Sequence, residues 1–199
     1  MKVIGLTGGI ASGKSSVASL LRAFGADVLD SDAIVHDLLR RGKRTQEEIR
    51  RLFGDRVMQG EMVDRTALGR LVFADPAKRR QLETLIHPQV KRILTRQLHA
   101  LAQEEKPVVF IEVPLLYEAD WADWVDEVWL VYAPPEVQIA RLRARTGFTD
   151  EEAESRLAAQ WPWEEKCRRA NRVIDNSGDW LATQAQVASL CQDLLQEVG

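Results

Sequence analysis

The chain has 199 residues, with 27 Lys+Arg against 30 Asp+Glu and a formal net charge of −3. Hydrophobic residues make up 45% and charged residues 29%, an ordinary globular balance that excludes a collagen, a disordered tail and a disulfide-dense miniprotein. The near-zero charge gives no general electrostatic case for a nucleic-acid or membrane partner, and the length fits one full domain with an insertion.

Residues 2–6 form a short apolar run ending at glycines. It is too short for a signal peptide and reads as a buried strand. From Lys14, the positions Val17, Leu20, Leu21 and Phe24 line one face of a helix closed by Gly25. Residues 26–29 read as a second strand leading into Asp30-Ser31-Asp32, and Ile34, Val35, Leu38 and Leu39 mark a helix that stops at Gly42. Residues 43–106 are rich in Arg, Glu and Gln, show no strand-like run, and read as a helical insertion. Within them Thr45 and Glu48 have capping-box spacing, and Asp75-Pro76 looks like an N-cap followed by proline at the first helical position. His87-Pro88 predicts that a helix ends or bends there.

Residues 108–113 and 127–132 are β-branched or aromatic runs that read as central strands. Residues 136–169 are helical and arginine-rich, with a second capping box at Thr149 and Glu152. Residues 172–175 form the last short strand, closed by Asn176-Ser177-Gly178, and 180–198 a terminal amphipathic helix. Strands alternating with helices predict an α/β protein with a parallel sheet of about five strands covered on both faces. No apolar run approaches the ~18 residues of a membrane span. Cys167 and Cys191 form no CxxC or Cys/His metal pattern, which predicts reduced structural residues in a cytoplasmic protein.

The strongest motif is Gly8-Gly9-Ile10-Ala11-Ser12-Gly13-Lys14-Ser15, which satisfies GxxxxGK[ST] between a predicted strand and a predicted helix. Glycines let backbone N–H groups curl around phosphate oxygens, and the helix start adds its positive end. Lys14 would reach the β- and γ-phosphates, and the Ser15 hydroxyl would ligand Mg²⁺. The expected ATP-binding set is therefore Gly8, Gly9, Ala11, Ser12, Gly13, Lys14, Ser15 and Ser16. No NKxD or LSGGQ accompanies the loop, which argues against a guanine switch and a transporter ATPase. A small-metabolite kinase fits the length.

Asp30 and Asp32 follow the second strand, at the sheet edge where ligands of parallel sheets bind. If the strand continued they would point the same way and could orient a hydroxyl acceptor, take its proton, or hold Mg²⁺ through water. Alternatively Asp30 or Ser31 caps the next helix, with Asp32 in its first turn. Arg141 and Arg145, four apart on a predicted helix, share a face. They suit charge neutralisation on a transferring phosphoryl, or simply a solvated surface. Trp121, Trp124 and Trp129 suit core packing, and the first two would alternatively flank an acceptor cleft.

Taken in order, the motifs resemble those of the dephospho-CoA kinase family. The resemblance rests on residues 5–15, Leu29-Asp30-x-Asp32, His87-Pro88, residues 112–118 (Glu-Val-Pro-Leu-Leu-Tyr-Glu), and Ala170-x-x-Val173-Ile174-Asp175-Asn176-x-Gly178. It implies a P-loop NTPase-type three-layer sandwich that transfers the ATP γ-phosphoryl to the ribose 3′-hydroxyl of dephospho-CoA. Its implied parts are a nucleotide-binding core (1–42, 107–136 and 169–199), a helical acceptor-side domain (43–106) and a lid (137–168). The implied catalytic residues are Asp32, Lys14 and Arg141. Arg141 and Asn176 would also touch ATP, and His87, Leu115, Leu116 and Asp32 would face the acceptor. Mild departures are Ala11 where glycine is frequent, Ser15-Ser16 for threonines, Ser31 for alanine, Tyr117 for phenylalanine and Glu112 for aspartate.

Overall fold

The fold is described from a computed structural model covering residues 1–198. The chain gathers into two compact units, one of residues 1–30 and 101 onward, the other Ser31–Ala100. The first unit is built on five parallel strands: β1 (Lys2–Gly8), β2 (Asp27–Asp30), β5 (Val108–Glu112), β6 (Glu127–Tyr132) and β7 (Arg172–Asp175). Their order across the sheet is β2-β5-β1-β6-β7. Leu6 of β1 and Asp30 of β2 both register opposite Glu112.

Helices α1 (Lys14–Ala23), α6 (Pro135–Thr146), α7 (Asp150–Ala158), α8 (Trp163–Arg169) and α9 (Trp180–Val198) complete this unit. Ile4, Leu6, Phe110, Trp129, Val131 and Ile174 of the strands pack with Val17, Leu21, Val187 and Leu194 of α1 and α9 into one core. The β-branched runs are thus central strands, as their composition predicts. Trp129 meets Phe110 edge-on with ring centres 5.1 Å apart, and Trp121 meets Trp124 at 5.5 Å; Trp121 and Trp129 are buried and Trp124 is half-buried. The capping box at the head of α7 forms as predicted: Glu152 N donates to Thr149 Oγ1 at 3.2 Å, and Thr149 N donates to Glu152 Oε2 at 2.9 Å.

The second unit contains α2 (Ser31–Arg41), α3 (Lys43–Phe53), a hairpin of β3 (Met58–Gln59) and β4 (Met62–Val63), α4 (Arg65–Ala74) and most of α5 (Pro76–Gln103). It takes in α2, which packs on α3 and β4. Three local expectations are corrected here. The insertion does contain strands, although of two residues each. Thr45 lies inside α3 and not at its cap, because Gly42 precedes the helix and Thr45 Oγ1 donates instead to Gln89 Oε1 at 2.8 Å. Of the end or bend expected at Pro88, the end is excluded, since α5 runs through that residue. Proline there removes one backbone donor, the one that would reach the Thr84 carbonyl, and in the same turn Gln89 Nε2 donates to the Leu85 carbonyl at 2.9 Å. The Asp75 cap is present, with Oδ1 accepting from Ala77 N and Lys78 N.

Gly5 sits in the middle of β1, where an added Cβ would lie 2.5 Å from Leu116 Cδ1 and 3.2 Å from Val125 Cγ2. Leu116 is fully buried and has nowhere to retreat. Gly5→Ala is therefore expected to cost about 1–3 kcal/mol by overpacking, read as a lower urea midpoint with an unchanged slope.

Candidate active site

The glycine loop leaves β1 at Gly8 and enters α1 at Lys14. Two of its residues have positive φ: Ala11 (57°) and Gly13 (93°). Ala11 thus stands where glycine would be relaxed. Gly13 is held from both sides. An added Cβ would lie 2.0 Å from Asn176 Nδ2. That amide donates to the Ser12 carbonyl at 2.7 Å, and Thr183 Oγ1 donates to Asn176 Oδ1 at 3.0 Å. Arg141 completes the clasp, its Nη2 donating to the Asn176 carbonyl at 2.9 Å and its Nη1 to the Ser12 carbonyl at 3.5 Å. Arg141 and Asn176, separated by 35 residues in sequence, therefore converge on the helix end of the loop.

Glu112 ends β5 and is 4% exposed. Its Oε1 accepts from Lys14 Nζ at 2.5 Å and from Ser15 Oγ at 2.8 Å, and Arg22 Nη2 lies 3.8 Å from Oε2. A buried carboxylate requires such partners, because an uncompensated charge in the interior is strongly disfavoured. The carboxylate thereby fixes the ammonium and the hydroxyl that the motif supplies for phosphate and cation. Ser16, one residue further on, is exposed in the first turn of α1.

The Gly9 end of the loop has different partners, which the sequence reading missed. Ile10 N donates to Gln160 Oε1 at 2.9 Å. The next residue, Trp161, donates its N–H to Glu118 Oε1 at 3.0 Å and stacks on Tyr117 with ring centres 6.2 Å apart. Lys166, 3% exposed, forms a 2.6 Å ion pair with Glu118 Oε1. Segment 160–166 thus straps the P-loop to the turn after β5. Burial pushes the Tyr117 phenol up to about 12, so it stays protonated at neutral pH. In sequence, Gln160 and Lys166 are two among many polar residues of a helical stretch, and nothing local singles them out. In that turn Leu115 is exposed, while Leu116 is buried beneath Gly5 and shapes the turn from below.

The second unit carries two expected residues. Asp32 does not continue β2: the strand ends at Asp30, and α2 begins at Ser31 with Asp32 exposed in its first turn. The alternation of Asp30 and Asp32, expected had the strand continued, does not hold, and Asp32 takes the alternative position in the helix's first turn. A helical start places the second carboxylate by helix geometry instead, where the positive helix end favours an anion. His87 lies half-buried within α5. Burial lowers its imidazole below its ordinary 6.5, Lys91 acts in the same direction and Glu83 opposes both.

A strand–glycine loop–helix with a lysine, a hydroxyl and a buried acid on the adjacent strand defines a P-loop phosphotransferase core. The model of the dephospho-CoA kinase family matches residues 2–181. A dephospho-CoA kinase of Symbiobacterium thermophilum is 52% identical over 94% of this chain and 79% of its own length. Protein TT1252 of Thermus thermophilus superposes with a TM-score of 0.84 at 42% identity, covering 100% of this chain and 98% of the other. The dephospho-CoA kinase of Campylobacter jejuni superposes with a TM-score of 0.73 at 25% identity, over 98% of both chains. The chain belongs to the dephospho-CoA kinase family.

Two outcomes follow from this geometry. Gly13→Ala is expected to weaken ADP binding more than about tenfold, or about 1.4 kcal/mol, by driving Asn176 off the Ser12 carbonyl; isothermal titration reads it directly. The lowered His87 value means the folded state binds fewer protons than the unfolded one. Its contribution is complete above the unfolded value of 6.5 and is lost as pH falls toward the lower folded value. His87→Gln should flatten that acid-side decline in a denaturation series across this range.

Proposed function

We propose that this chain transfers the γ-phosphoryl of ATP to the ribose 3′-hydroxyl of dephospho-CoA, giving CoA. The observation that carries the reading is the convergence of Lys14, Ser15 and Glu112 at the head of a glycine loop in a chain of this family. Gly8, Gly9, Ala11, Ser12, Gly13, Ser15 and Ser16 cradle the phosphates, and Lys14 moves from Glu112 toward the β- and γ-phosphates as they arrive. Arg141, already at the loop's helix end, offsets charge on the transferring group, while Asn176 holds the loop against the adenine side.

Asp32 orients the acceptor hydroxyl and takes its proton. His87, Leu115 and Leu116 serve the acceptor, Leu116 through the shape of its turn. Residues 43–106 act on the acceptor side, and residues 137–168 as a lid that keeps water from the phosphoryl.

The donors at the loop also suit Mg²⁺. Ser15 Oγ and the Glu112 carboxylate are hard oxygen ligands 2.8 Å apart. Among the described residues no cluster of three or more acidic, His or Cys side chains could hold a metal. A cation sharing its shell with phosphate oxygens and water matches that sparse set. When bound, it would neutralise charge between the β- and γ-phosphates. Among the described residues no helix is long and apolar enough to cross a membrane, and both cysteines are free, which supports a cytoplasmic enzyme.

The direct test is ADP release with ATP and Mg²⁺ in the presence of dephospho-CoA, shikimate or no acceptor. Stimulation by dephospho-CoA alone, with CoA as product, is expected; equal rates in all three would overturn the reading. Arg141→Ala should lower kcat at least about tenfold, or about 1.4 kcal/mol. Asp32→Asn should lower kcat more than it weakens ATP binding.

A further inference from the structure

Ala11 holds a backbone conformation that alanine rarely adopts. Its φ is 57°, and in that left-handed region the Cβ is crowded against the following carbonyl oxygen. The residue is third in a four-residue turn, which Ser12 N closes by donating to the Gly9 carbonyl at 3.1 Å. A turn with positive φ at its third residue favours glycine there. A strained conformation of this kind persists only where the surrounding structure over-determines it.

The surroundings hold Ala11 from both sides. After it, the Ser12 carbonyl accepts from Asn176 Nδ2 at 2.7 Å. Before it, Ile10 N donates to Gln160 Oε1 at 2.9 Å, across 150 residues of sequence. Gln160 reaches the loop from a fixed base. The N–H of the next residue, Trp161, donates to Glu118 Oε1 at 3.0 Å, and the buried Lys166 pairs with the same oxygen at 2.6 Å. An N–H held by Gln160 is engaged within the protein, so Gln160 acts on the shape of the loop rather than on a ligand.

We propose that Gln160 is a positioning residue for ATP: its carboxamide locks the Gly9–Ser12 turn, with Ala11 in its strained form, in the shape that receives the phosphates. The inference rests on the glycine loop being the phosphate site of the proposed reaction. Without the carboxamide, Ala11 relaxes toward negative φ and the peptide planes on either side of it rotate. Incoming phosphates must then reorder the loop, and affinity falls by the cost of that ordering. Gln160 lies two residues past α7, within the segment proposed as the lid, so the same hydrogen bond joins that segment to the loop.

The test is calorimetric titration with ADP and Mg²⁺, without acceptor, on four proteins: unmodified, Gln160→Met, Ala11→Gly and the double variant. Gln160→Met keeps the length of the side chain without the acceptor oxygen, and should raise the Kd for ADP at least about fivefold. Glycine adopts positive φ without the crowding. In the Ala11→Gly background the same Gln160→Met change should therefore raise Kd less than about twofold. Gln160→Asn, which withdraws the oxygen by one methylene, should repeat the pattern with a smaller change of packing. A Gln160 that merely supports the fold would weaken binding equally in both backgrounds, and that result would overturn the proposal. Unchanged ADP binding in Gln160→Met would overturn it as well. If the unmodified protein bound no ADP, the phosphate role of the loop would fall, and the proposal with it.

Discussion

A carboxylate buried at the end of a central strand is the constraint on which this site depends. Glu112 is excluded from water by the sheet, so the interior must supply it with positive charge and hydrogen-bond donors. Lys14, Ser15 and Arg22 do so, and all three lie on α1. The pairing therefore ties the start of α1 to β5, across the glycine loop. In the reaction proposed above, substrate phosphates would offer Lys14 an alternative partner, and the buried acid would remain beside Ser15 for a divalent cation.

The rest of the first unit keeps the loop in shape from its two ends. At the helix end, Asn176 and Arg141 hold the Ser12 carbonyl, and glycine at position 13 leaves the room they need. At the Gly9 end, Gln160 holds the Ile10 N–H, and its neighbour Trp161 is fixed to Glu118, which the buried Lys166 neutralises. Phosphoryl transfer gains mostly from positioning and preset charge. Two independent clamps on one loop supply both before ATP binds.

The parts that were legible in the sequence are those whose cause is local. The strands at 127–132 and 172–175 and the terminal helix follow from side-chain pattern, and the Thr149 box and the Asp75 cap from short spacings. The glycine loop is legible because its residues must be adjacent in sequence to wrap one phosphate. Where a distant side chain competes with the local signal, the reading fails. Thr45 bonds to Gln89, 44 residues away, and caps nothing. Pro88 is tolerated within a helix held by the packing of Ile86, Val90 and Leu94. Gln160 and Lys166 carry no motif, because their partners, Ile10 and Glu118, are defined only once the chain has folded around the loop. Asp32 was legible as a carboxylate after the second strand, and of its two readings the structure takes the helix start over the continued strand.

Substitution of the buried acid reaches the centre of this account. Glu112→Gln keeps the size of the side chain and removes the charge that organises Lys14, Ser15 and the cation. The rate of CoA formation from MgATP and dephospho-CoA should fall at least about tenfold in kcat. The thermal midpoint should fall as well, because the mostly buried Lys14 loses its countercharge, so the rates are compared well below that midpoint. A variant that forms CoA at the unmodified rate would show that Glu112 only fills space beneath the loop, and the account of the site would fail.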